Sequence, residues 1–187
     1  MFEWLRKRAT AVHKARQEVA LEAANQTSTF MLKVPAALGA MPREMLSDPF
    51  VVGAIASHAA IVSKVMTNGQ CPTSVIESAM ITAVQLVFSG AGVTKEESLS
   101  ALYQFKNHPD YAKATQVVDL VLGARFGRRD LVTDPLVVEA RGRVRSMPRA
   151  FRESFGSTEE EQIATQLSHD LFVKPLREKY GELWSRR

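Results

Sequence analysis

Eight arginines and no lysine lie between Arg125 and Arg152, against only Asp130, Asp134 and Glu139. Eight cations less three carboxylates leave this window at +5, more than the +4 of the whole chain. Arginine presents a planar fork of donors that matches carboxylate and phosphate. In helical phase Arg145, Arg149 and Arg152 share one face, with Arg141 beside Arg145; Arg125, Arg128 and Arg129 precede them. Such a strip is expected to dock an acidic protein partner or the phosphates of a nucleic acid. Two features favour a merely solvated basic face instead. No aromatic residue is interleaved in that phase for base stacking, and Glu139 stands four residues before Arg143, where the two can pair.

His58 is the most notable titratable group outside that window. It interrupts an apolar run between Ile55 and Ile61. A buried imidazole needs a hydrogen-bond partner and prefers to be neutral. It therefore reads either as a satisfied core residue or as the lining of a small-molecule pocket. A third surface is the N-terminus, where Phe2, Trp4 and Leu5 stand directly before Arg6-Lys7-Arg8. Apolar anchors beside basic residues suit a membrane surface or a protein partner, and equally suit packing onto the protein's own body.

Nothing in the chain assembles a catalytic centre. There is no phosphate-binding loop, no His-Glu-x-x-His and no Gly-x-Ser-x-Gly, and Gly90-Ala91-Gly92 reads as a loop. No nucleophile, base and orienting group can be built from spacing, so no enzyme activity is expected. Four scattered histidines do not suggest a metal, and no cofactor is expected. The one cysteine, Cys71, excludes an intramolecular disulfide and suits a reducing, cytoplasmic location. His13, Lys14 and Arg16 interrupt anything resembling a secretory leader.

The elements that must position these groups read as helices throughout, with no convincing alternation of period two. The expected fold is all-α, a single-domain bundle of six to eight helices around a buried antiparallel hairpin. The hairpin is the clearest feature. Between Pro49 and Thr94 only Lys64 and Glu77 are charged, where the average content of charge would put roughly eleven. Asn68-Gly69 and Pro72 divide that stretch into two helices, 49–66 and 73–88. Lys64 and Glu77 should then be neighbours beside the turn. The polar groups of the hairpin argue against a membrane span.

Around it, residues 1–30 read as a basic helix with a thin seam of Leu5, Ala9, Val12, Ala15, Val19 and Ala23. Residues 31–47 form an arm holding Met31, Met41 and Met45 and broken by Pro35, Gly39 and Pro42; it is expected to strap the protein's own body or to bind a neighbour. Residues 48–187 form the helical core. Thr94 with Glu97 reads as a capping box, and Leu99, Leu102 and Tyr103 as that helix's apolar face. A helix from Pro109 buries Ala114, Val117, Val118, Val121 and Leu122 and stops near Gly127. The next shows a stripe of Leu136, Ala140, Val144, Met147 and Phe151 that keeps its phase across Pro148. Ser157 with Glu160 is expected to cap the last long helix, Pro175 to kink it and Gly181 to end it.

One internal echo stands out. Ser47-Asp48-Pro49-Phe50-Val51-Val52-Gly53-Ala54 is matched by Thr133-Asp134-Pro135-Leu136-Val137-Val138-Glu139-Ala140. Asp at the N-cap and Pro at the first position make a good helix start. The echo marks either a duplicated unit or two helices that begin alike.

The expected function is that of a non-catalytic interaction protein, an adaptor or assembly subunit that uses its basic surface on a protein partner or on itself. The first alternative is nucleic-acid binding through residues 125–152. The second is a small-molecule regulator with a pocket near His58.

Overall fold

The computed structural model describes residues 2–33 and 41–185, with side chains at residues 12, 14–31 and 41–181. The side chains of Phe2, Trp4, Leu5 and the following basic triplet lie outside the described residues, as does that of Trp184. The fold is all-α, and no strand occurs among the described residues. By compactness the chain divides into two units, residues 1–115 and 116–187.

The first unit holds α1 (Phe2–Lys33), a 3-10 turn at Arg43–Ser47, α2 (Pro49–Met66), α3 (Thr73–Val87) and α4 (Lys95–Phe105). The charge-poor helices α2 and α3 pack on each other, and α1 packs on both. Every residue from Val51 to Ala59 is buried, so the interior of this unit is built around α2. The polar stripe Ser74, Ser78, Thr82, Gln85 and Ser89 leaves α3 wetted on one side only. The α2–α3 turn forms as its residues dictate. Asn68 (φ 50°) and Gly69 (φ 82°) take left-handed conformations. Asn68 N–H donates to the Val65 carbonyl and Gly69 N–H to that of Lys64, which caps the last turn of α2. Lys64 and Glu77 are both exposed and make no ion pair with each other; water solvates each directly.

Three expected apolar faces are rotated. On α1 the buried face is Ala20, Ala23, Ala24, Thr27, Ser28 and Met31, and it begins late. Val12 and Ala15, placed in the seam above, are exposed, because none of the described residues covers this part of the helix. On α4 the capping box forms as expected, but Ser98, Ala101, Leu102 and Phe105 face inward while Leu99 and Tyr103 are exposed. Met31, Met41 and Met45 are each at most 1% exposed, which places them in the unit's own interior.

Helix α5 (Pro109–Arg125) carries the chain into the second unit, burying Ala114, Val118, Val121 and Leu122. It stops at a left-handed Gly127. There follow a 3-10 turn at Arg129–Leu131, α6 (Pro135–Ser146), α7 (Arg149–Glu153), α8 (Glu159–Ser168) and α9 (Lys174–Ser185). α6 packs on α8, each burying its own apolar face: Val137, Ala140 and Val144 on one, Ile163, Ala164 and Leu167 on the other. The third rotation is on α6, where Leu136 is exposed in place of Val137. Pro148 does more than kink. Met147 and Pro148 are both extended (ψ 145° and 142°), so α6 ends and α7 begins afresh. The cap of α8 also sits one residue beyond expectation. Thr158 accepts from Glu161 N–H, and the Glu161 carboxylate accepts from Ser157. Pro175 is accommodated by a wide π turn over His169–Val173 just before it, and α9 continues through Gly181 instead of ending there.

Candidate functional site

The arginines of the second unit differ sharply in what they touch. Arg128 is neutralised by carboxylates of α5 and of its own loop. Its Nη1 lies 2.8 Å from both Asp119 oxygens and its Nη2 lies 2.6 Å from Asp130. These bonds raise the Arg128 pKa further and hold the Asp130 carboxyl below its ordinary value. Arg143 spans Glu139 and Asp170. Arg149 Nε lies 2.7 Å from Glu153, one turn on. Arg125, Arg129, Arg141 and Arg152 make no ion pair among the described residues.

One arginine is bound to a carboxylate at the start of α8, and the charges of two more act on it from beyond ion-pair range. Arg145 grips Glu159 with two nitrogens, at 2.6 and 3.2 Å. That hydrogen bond holds the Glu159 carboxyl below its ordinary 4.5; desolvation opposes it, and the charges of Arg145, then Arg141 and Arg152, add smaller lowering effects. With Glu159 bound by Arg145, neither Arg141 nor Arg152 has a carboxylate partner among the described residues. Arg141 is steered by a bond from Nη1 to the Val132 carbonyl, which fixes its stem without consuming its charge.

The break at Pro148 changes what lies beside this cluster. By helical phase Phe151 belonged to the inward stripe; in the structure it is 56% exposed. It stacks edge-on against Phe155 at 5.2 Å between ring centres, between Arg149 and Arg152 in sequence. An aromatic group therefore does stand among the arginines. The signal for this was Pro148 itself, which resets the phase. The carboxylates that quench part of the strip, Asp119, Glu153, Glu159 and Asp170, were missed because they come from outside the segment, before it on α5 or after it.

His58 sits inside the first unit. Thr27 Oγ1 donates to the Ala23 carbonyl at 2.7 Å, and it has only one hydrogen. It must therefore accept from His58 Nδ1–H, 2.9 Å away. Phe30 stacks on the ring at 4.4 Å. His58 is 2% exposed, so it acts here as a tie between α2 and α1.

A shallow cleft lies elsewhere in the first unit, beside the 3-10 turn and α4. Two hollows of about 370 and 300 Å³ share Leu46, Ser47 and Glu97. Arg43, on its wall, already pairs with Glu97 and donates to the Ala91 carbonyl. No group of three His, Cys, Asp or Glu side chains converges as metal ligands among the described residues. α2 is apolar and long enough to cross a membrane (mean hydropathy 1.5), with 61% of that window buried inside the structure.

No protein-family model, curated protein or solved structure matches this chain.

Proposed function

We propose that this chain is a non-catalytic interaction protein whose second unit docks an acidic partner through Arg141, Arg145 and Arg152. The observation that carries this reading is that Arg145 alone of the three has a carboxylate partner, Glu159, while Arg141 and Arg152 make no ion pair among the described residues. A solvated face balances its charges, as Arg128 does with two carboxylates and Arg149 with one; Arg141 and Arg152 are not so balanced among the described residues. Surplus arginine charge on ordered side chains suits carboxylates and speeds encounter with an acidic surface.

The exposed Phe151 gives nucleic acid a specific claim as the second reading, since an aromatic face among cations is what base stacking uses. Titration of labelled poly-glutamate and of a short DNA duplex, each at low and high salt, separates the two. Poly-glutamate should bind at low salt and weaken as salt rises. The double variant Arg141→Glu, Arg152→Glu should weaken it about tenfold or more. Absence of poly-glutamate binding at low salt would overturn the proposal, and tighter binding of the duplex would replace it with the nucleic-acid reading.

A further inference from the structure

The two Asp-Pro helix starts agree in more than sequence. A single offset of 86 residues relates Arg43 to Arg129, Pro49 to Pro135 and Thr73 to Glu159, the first residues of three pairs of elements in the same order, with α7 an extra element in the second unit. Their hydrogen bonds repeat as well. Asp48 N–H donates to the Met45 carbonyl at 3.1 Å, and Asp134 N–H to that of Leu131 at the same distance. Asp48 Oδ1 accepts from Phe50 and Val51 N–H, and Asp134 Oδ1 from Leu136 and Val137 N–H. The inward faces are also in register: Val51 with Val137, Ala54 with Ala140, His58 with Val144, all buried.

The adjoining faces diverge. On α2, Val52, Ile55, Ala56 and Ala59 are each 0% exposed, closed over by neighbouring helices. Their counterparts on α6 are Val138, Arg141, Gly142 and Arg145. Val138 is 49% exposed, and a Cβ built on Gly142 would meet nothing within 4 Å. Val138 and Gly142 are one turn apart, so they form a short apolar step with room for close approach, edged by two arginines.

We infer that α6 is a duplicate of α2 whose covering helix is supplied by a partner, and that this helix is acidic and amphipathic. It lies over Val138 and Gly142, and its carboxylates meet Arg141 and Arg145. The occupant is a helix because a helix closes the same face in the first unit, and Gly142 lets a second backbone approach to packing distance. It is acidic because Arg141, held by the Val132 carbonyl, has no ion pair among the described residues, and Arg145 beside it has only the exposed Glu159. This inference rests on the docking reading above and adds the shape of the partner.

The test compares two peptides with the same number of glutamates, poly-glutamate and a longer helical peptide with Leu and Glu at i, i+3, i+4 spacing. The protein should prefer the helical peptide by about tenfold, or about 1.4 kcal/mol. Gly142→Gln should erase that preference and leave poly-glutamate binding unchanged. Glutamine is a better helix former than glycine, so α6 survives the change, and circular dichroism verifies it. Equal binding of the two peptides, or a preference that Gly142→Gln does not touch, overturns the helical partner and leaves the acidic-partner reading standing. Failure of both peptides to bind overturns both.

Discussion

Helices α2 and α6 begin with the same residues and the same capping bonds, yet one is a core and the other a rim. α2 is buried from Val51 to Ala59. α6 buries only Val137, Ala140 and Val144 and turns arginines outward. The difference teaches where each property is encoded. The start is local: an aspartate oxygen satisfies two backbone donors and a proline needs none. Burial is not local, since it depends on whether the residues one turn apart are small and apolar on every side. Ile55, Ser57, Ala59 and Ser63 stand in α2 where Arg141, Arg143, Arg145 and Arg149 stand 86 residues later.

Matched substitutions sharpen the contrast. The largest effect belongs to Ile55→Ala, which should cost about 2–5 kcal/mol in urea unfolding, as a cavity forms in a closed interior. Arg141→Ala should change stability by no more than about 0.5 kcal/mol. Similar costs at the two positions would break the comparison. Next come the glycines. A Cβ at Gly53 would sit 2.9 Å from Tyr111 Cα, so Gly53→Ala should cost about 1–3 kcal/mol. Gly142→Ala meets open space and should stabilise α6 by up to about 1 kcal/mol. Opposite signs are expected in thermal melts, and equal signs would count against the assigned environments.

Removing the caps should give smaller losses. Asp48→Ala is expected to cost about 1–2 kcal/mol and Asp134→Ala about 0.5–1, both within the range for N-caps. Asp48 is the costlier because it is only 4% exposed, so water cannot replace the lost acceptor. The smallest effect is electrostatic. Glu159 has a depressed folded pKa, so its contribution to stability is present above its unfolded value and is lost as pH falls through the folded one. Acid titration of stability should therefore be slightly shallower below about pH 4.5 in Glu159→Gln. Added salt should reduce the difference, because the pair is exposed.

Much of the fold was legible in the residues. The charge gap from Pro49 to Thr94 pointed to the interior, and Thr94 with Glu97 and Asn68-Gly69 marked a helix start and a helix stop that form as read. The errors share one cause. Leu99, Tyr103, Leu136 and Val12 are apolar residues at helical spacing that no neighbour covers, and periodicity alone cannot say which of two adjacent stripes faces inward. The arginine segment was visible as composition. Its division into quenched and surplus cations was not, because Asp119, Glu159 and Asp170 reach it only through folding.

The central claim is that one face is closed in α2 and open in its counterpart α6. Thiol labelling tests it directly, comparing Val52→Cys with Val138→Cys in a Cys71→Ser background under native conditions. The account predicts that position 138 reacts at nearly the rate of an unfolded chain, while position 52 reacts only as fast as the first unit opens. Equal protection at the two positions would contradict it.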